Sequence, residues 1–123
     1  MLKVQAKNLG TATVLCLQGH IVIGDTETLR NVVQSLSETS AVVLDLARVT
    51  TVDAHGLGVM LELRERMLER GIRFELMNVS ESMSWVLAIT RLDSVFQITS
   101  GVEFFPQVSR DSRARMAALR SCA

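Results

Sequence analysis

Val42-Val43-Leu44-Asp45-Leu46-Ala47-Arg48-Val49-Thr50-Thr51-Val52-Asp53-Ala54-His55-Gly56-Leu57-Gly58 is the stretch whose reading decides the fold. From Ala41 to Leu46 it is almost entirely apolar, which suits a central strand covered on both faces, as parallel sheets require. A polar loop follows, then a helix opened by Asp-x-x-Gly-Leu-Gly. Asp53 is placed to cap that helix, and glycine at 56 and 58 lets the backbone approach a neighbour closely. The free N–H groups of such a helix start suit an anion or phosphate. A plain, well-capped strand-to-helix turn accounts for the same residues. The helix is expected to run to about Arg70, with Gly71 as its left-handed C-cap. Leu57, Met60, Leu61, Met67 and Leu68 make the inward stripe, interrupted by Arg64. Glu62 and Arg66 form an i, i+4 pair on the outer surface.

Upstream, Leu2 to Lys7 alternates apolar and polar, the pattern of a half-buried strand. Asn8-Leu9-Gly10 supplies a turn into a second, antiparallel strand from Thr11 to Leu17, rich in β-branched residues and expected to end at Gly19. His20-Ile21-Val22-Ile23 is a short apolar piece stopped by Gly24. Asp25-Thr26 starts a helix, and Leu29, Val32, Val33 and Leu36 fall on one stripe at i, i+3, i+4, i+7. Downstream, Ile72, Phe74 and Leu76 alternate with Arg73, Glu75 and Met77 as another strand. A short helix from about Glu81 to Thr90 has Ser80 as its cap. Val95 to Ile98 is a brief strand, Gly101 to Pro106 a connector, and a last helix begins at Gln107. Strands and helices alternate after the first hairpin, which implies right-handed βαβ crossovers and a mixed sheet.

The 123 residues make one domain, since two would each be too small to bury a good core. Apolar residues form 48% of the chain, which excludes disorder. Thirteen Lys and Arg balance thirteen Asp and Glu, so overall basicity does not drive direct nucleic-acid binding. No apolar run approaches the roughly 18 residues of a membrane span, and the start lacks a signal peptide's apolar core. Cys16 sits in an apolar run and Cys122 near the end, so no structural disulfide is expected and the cytoplasm is the default compartment.

Catalytic motifs are missing from the sequence. Gly56-Leu57-Gly58 has neither the spacing nor the Lys-Ser/Thr of a P-loop, and no third glycine completes a dinucleotide fingerprint. His20 and His55 have no cysteine partner at zinc-ligand spacing, and no Gly-x-Ser-x-Gly occurs. No cofactor and no metal are expected.

Asp45-Leu46, Val52-Asp53, Gly56-Leu57-Gly58, Gly71 and Arg91-Leu92-Asp93-Ser94-Val95-Phe96 together resemble a STAS domain, the family that includes the bacterial anti-sigma factor antagonists. The resemblance covers about residues 2 to 99. It implies an α/β, STAS-like mixed sheet with an N-terminal hairpin and helices packed mainly on one face. The STAS domain would span residues 1–106, with a C-terminal basic helix or tail over 107–123. It also implies a non-catalytic partner-switching module rather than an enzyme. Such an antagonist binds a serine kinase that doubles as an anti-sigma factor, and phosphorylation of a serine just after the motif aspartate breaks the complex. Phosphate adds about −1.5 to −2 charge to a docking surface. On this chain the partner surface would comprise Asp53, Ala54, His55, Gly56 and Leu57, with Val59 and Leu63.

Two departures bear on regulation. Ala54 occupies the family's serine position and has no hydroxyl to phosphorylate; His55 follows it. Ahead of the first helix the family carries Gly-x-x-Asp, whereas Gly19-His20-Ile21-Val22 puts Val22 at the aspartate position. Asp25, after Gly24, is placed to supply the cap instead. A structural STAS subunit of a larger assembly, such as a stressosome-like scaffold or a lipid-transport complex, is the alternative function.

Several residues admit two readings. His55 is a partner contact or a solvated loop residue, and Thr50 and Thr51 are hydroxyl acceptors or strand-preferring loop residues. Val59 and Leu63 are a docking ridge or a second core-facing side of the helix. Trp85 is an interface anchor or a partly buried core residue. From residue 107 onward Arg110, Arg113, Arg115 and Arg120 face one acid, Asp111, a surplus of three positive charges; the remainder carries nine cations and twelve acids. This polarity steers an acidic partner, favours a homo-oligomer, or marks a solvated helix face.

Overall fold

The structure, a computed structural model, describes residues 1–99. The alternating first residues form a hairpin: β1 (Lys3–Asn8) pairs antiparallel with β2 (Ala12–Ile21), from Lys3 opposite Gln18 to Asn8 opposite Thr13. Its turn is fixed where the Asn8 Oδ1 accepts from the Gly10 N–H at 2.8 Å, with Gly10 at φ +85°. β2 does not end at Gly19 as the sequence suggested. It continues to Ile21 through register shifts between Cys16 and Gln18 and between Gly19 and His20. Gly19 stands at φ +113°, and a Cβ there would meet the Met1 carbonyl oxygen at 2.3 Å. A glycine inside a strand therefore marks an irregularity here, not a stop.

Three crossovers follow, each closing a parallel pair: α1 (Thr26–Ser35) to β3 (Ala41–Val52), α2 (Ala54–Glu69) to β4 (Arg73–Met77), and α3 (Glu81–Ile89) to β5 (Gln97–Thr99). A single 3-10 turn, Leu92–Ser94, precedes β5. The sheet order is β1-β2-β3-β4-β5. Sequential order with right-handed crossovers puts successive helices on the same face, and the packing agrees. Leu29 and Val33 of α1, Leu57, Met60 and Met67 of α2, and Met83 and Leu87 of α3 join Leu15, Leu44 and Leu76 in one apolar cluster. The mixed α/β sheet, the N-terminal hairpin and the helices on one face are thus as expected. The opposite face carries a smaller cluster of Val14, Cys16, Val43 and Met77.

The α2 ends form as the sequence indicates. Gly71, at φ +74°, follows the helix, and the Gly71 and Ile72 N–H groups donate to the Leu68 and Met67 carbonyls at 3.0 and 2.8 Å, a Schellman closure. The Ser80 Oγ caps α3 by accepting from the Met83 N–H at 3.1 Å. Glu62 lies 3.9 Å from Arg66, but its closer partner is Arg30 of α1 at 2.9 Å, so this acid ties two helices together.

Two expectations need correction. Along β4 the expected half-burial is absent, for Glu75 and Met77 are buried along with Phe74 and Leu76; β4 lies inside the sheet between β3 and β5. Cys16 is held in a disulfide, although its place in an apolar run led to the expectation of none. The run does not distinguish the faces, and Cys16 lies on the one away from the helices. Cys122, the connector, the boundary at 106 and the basic segment at 107–123 lie outside the described residues.

Candidate functional site

β2 and β3 run parallel, so both deliver their following loops to the same end of the sheet. There the α2 N-terminus meets the β2–α1 loop. Asp53 has the extended backbone of an N-cap (φ −96°, ψ −179°), and its Oδ1 accepts from the Gly56 N–H at 2.7 Å. Its Oδ2 reaches across and accepts from the Ile23 N–H at 3.0 Å. One carboxylate thereby satisfies a helix terminus and fixes a loop 30 residues earlier in the chain. These two bonds, that from Ile23 first, hold the Asp53 carboxyl below the ordinary carboxylate range.

A second tie lies beside the first. The His55 Nε2 stands 3.1 Å from the Oγ1 of Thr26, the first residue of α1. Thr26 is buried and His55 exposed, so the imidazole lies over the hydroxyl from the solvent side. This contact lies within the chain and joins the α2 start to the α1 start.

Gly56 explains why the two loops come so close. A Cβ at this position would lie 1.9 Å from the Ile21 carbonyl oxygen and 2.8 Å from its carbon. The same oxygen accepts from the Asp53 N–H at 3.3 Å. The α2 start is therefore packed backbone to backbone on the end of β2, where only glycine fits. Gly58 has open space around it and faces solvent, so the close-approach reading holds at 56 and not at 58.

The remaining expected site residues separate into surface and core. Ala54, the first residue of α2, and His55 are exposed, and Asp53 is half-buried. Gly56 and Leu57 are buried, and Val59 (3% exposed) and Leu63 (0%) belong to the main apolar cluster. The docking ridge expected at Val59 and Leu63 is thus excluded. α2 packs on both the sheet and α1, so its buried stripe is wider than its spacing suggested, and it rotates Leu68 outward instead (46% exposed). Asp25 occupies the N-cap position of α1 but makes no side-chain cap bond; its Oδ2 lies 3.5 Å from the Met1 amino group.

Some exposed apolar residues escaped the sequence reading, Ile98 of β5 among them. Ile23, beside Asp25 in the fixed loop, is 71% exposed, and Ile89 on α3 is 60% exposed, one turn after Trp85 at 66%. Trp85 is therefore not a core residue. Nothing in an isolated apolar position distinguishes such outward residues from core. Thr50 and Thr51 line a cleft of about 210 Å³ between the end of β3 and the start of α3, with Ser80, Ser82, Met83 and Val86; the Thr50 hydroxyl donates to the Gly19 carbonyl at 3.3 Å. Among the described residues no three His, Cys, Asp or Glu side chains group as a metal site, and no helix is long and apolar enough to cross a membrane.

Comparison with known proteins adds to this geometry. The STAS domain family matches residues 3–110 of the chain. An anti-sigma factor antagonist from Mycobacterium paratuberculosis is similar in fold, with a TM-score of 0.74 and 18% identity, over 90% of this chain and 96% of that one. A sulfate transporter family protein from Wolinella succinogenes is similar at a TM-score of 0.67 and 20% identity, over 76% of this chain and 80% of that one. Mglu is 32% identical over 58% of this chain, at a TM-score of 0.55, and the match spans 18% of the Mglu chain.

Proposed function

The chain belongs to the STAS domain family, and from that membership we propose that it is a non-catalytic protein-binding regulator of the anti-sigma factor antagonist type. Its partner is a serine kinase-like anti-sigma factor, met at Ala54, His55 and the Asp53-fixed loop. The observation that carries this reading is the exposed Ala54 at the first position of α2, directly after the capping aspartate. In the family this is where phosphorylation switches the complex off. A phosphate here would set about −1.5 to −2 charge beside the Asp53 carboxylate. Ala54 has no oxygen to accept it, so the surface keeps one charge state and the protein stays binding-competent. Ile23, held outward by Asp53, adds an apolar contact to the same surface.

The test is a binding assay between the folded chain and the kinase-like anti-sigma factors of its own source. Binding that ATP does not reverse is expected, together with phosphorylation of the Ala54→Ser protein by the same kinase, read as a mass gain. Absence of binding to every such factor removes the proposal. An unmodified Ala54→Ser protein removes the assignment of the switch position.

A second reading, a STAS subunit of a larger assembly, draws on the likeness in fold to the sulfate transporter family protein. Stable copurification with a membrane transporter, and no kinase partner, is the result that selects it.

A further inference from the structure

β3 outruns one of its neighbours. It pairs with β4 from Ala41 opposite Arg73 to Asp45 opposite Met77 and no further, yet stays paired with β2 as far as Val52. β4 stops because Asn78 takes the left-handed conformation, φ 57°. Its Nδ2 donates to the Asp45 Oδ1 at 3.0 Å, which fixes the turn. The chain then leaves the sheet and begins α3 at Glu81. The overhanging end of β3 and the first turns of α3 therefore stand apart, and the cleft of about 210 Å³ lies between them.

Its lining has two chemistries. Leu46 and Met83 are buried, and Val49, Val52 and Val86 are half-buried against the main apolar cluster, so the floor is the margin of the core. Thr50, Thr51, Ser80 and Ser82 are exposed and form a rim of hydroxyls. The Thr50 hydroxyl donates to the Gly19 carbonyl. The Ser80 Oγ caps α3 and lies 3.2 Å from the Ser82 Oγ. The Thr51 hydroxyl has no hydrogen-bond partner among the described residues.

No charged side chain lines the cleft, and its surroundings favour neither sign. The N-terminal end of α3 disfavours a cation, and Glu81 in its first turn disfavours an anion. A charged ligand would lose hydration there with no ion pair in return. A hydroxyl both donates and accepts, so the rim suits a neutral polar head and the floor an apolar body. Size sets the rest. An apolar cavity of about 150 Å³ takes benzene, so this cleft holds one ring, or a short alkyl chain, with a small head group.

We propose that the cleft binds a small uncharged molecule of this kind, an aromatic or short-chain alcohol. Its apolar part rests on Val49, Val52, Met83 and Val86, and its hydroxyl meets Thr51 and Ser82. Val52 directly precedes Asp53, which puts the ligand beside the proposed partner surface, but its binding does not depend on that reading.

The test is an amide NMR titration of the isotope-labelled full chain, with no partner present. The probe is benzyl alcohol; benzoate and benzylamine carry the same ring with a charge. Benzyl alcohol is expected to give saturable shifts confined to residues 46–52 and 80–86, and the charged probes to bind at least about tenfold more weakly. Val86→Phe fills the cleft and abolishes those shifts. Thr51→Val keeps the side-chain shape, disturbs no hydrogen bond of the fold, and weakens binding about three- to tenfold, as the loss of one hydrogen bond does. No saturable shift in the native protein overturns the proposal. So does equal binding of the charged probes, binding that persists in folded Val86→Phe, or unchanged affinity in Thr51→Val. Shifts of the same amides on dilution without a probe assign the cleft to a second copy and overturn it as well.

Discussion

Two of the strand-to-helix turns at one end of this sheet place an aspartate just before the helix. At the β3–α2 turn Asp53 has an extended backbone, caps Gly56 and clamps Ile23. At the β2–α1 turn Asp25 has ψ near 1°, no cap bond, and a 3.5 Å pairing with the Met1 amino group. The residue type is the same and the chain position equivalent, but the backbone angle decides whether the side-chain oxygen can turn back onto the helix. The second turn is instead held from outside, by Asp53 on Ile23 and by His55 on Thr26. One loop is organised by its own cap and the other by its neighbour.

The comparison breaks most severely at Gly56. Gly56→Ala drives a methyl group into the Ile21 backbone, and the overpacking is expected to destabilise the protein by about 2–3 kcal/mol. Chemical denaturation with an unchanged m-value checks this, and a near-neutral result would show that the two loops separate easily. Asp53→Ala comes next. It removes the cap and the clamp together and is expected to lower the Tm by roughly 3–6 °C. Faster hydrogen exchange in the β2–α1 loop, as well as at the α2 start, would separate the clamp from a simple cap.

The Asp53 carboxyl is held below its ordinary value of 3.8, chiefly by the Ile23 and Gly56 N–H groups. The unfolded chain therefore takes up its proton first as pH falls, so the stabilisation is complete above the ordinary value and is lost as pH falls through the lowered one. The stability difference between the native protein and Asp53→Asn should accordingly be flat near neutral pH and shrink below about pH 4. A difference independent of pH down to 2 would contradict the charge-based account. Asp25→Ala is the smallest change, within about 0.5 kcal/mol of the native protein, because an exposed pairing with a chain terminus contributes little. A loss as large as that of Asp53→Ala would make the two turns equivalent after all.

Much of this architecture is readable from residue patterns. The cap at Asp53, the glycine at 71 and the cap at Ser80 each act locally, within a few residues, and each appears as expected; the strand begins at Ala41 as expected but runs on to Val52, because pairing with β2 continues through the polar residues read as a loop. What failed was the choice of side. α2 carries apolar residues around much of its circumference, so spacing could not say that Val59 and Leu63 face inward and Leu68 outward. Ile23 and Trp85 are apolar yet exposed for the same reason. Within the site, Asp53, Ala54 and His55 were identified from the motif. The Ile23 contact was not, because it joins residues 30 apart in sequence.

The sequence by itself determined the order of strands and helices, the family, and the absence of a hydroxyl at position 54, since these depend on residue identity and short-range backbone preference. Only the tertiary structure decided which aspartate caps, which oxygen of Asp53 reaches Ile23, and why position 56 must be glycine. Those follow from the parallel registration of β2 beside β3, which brings the Ile21 carbonyl oxygen to 1.9 Å from where a side chain at 56 would begin.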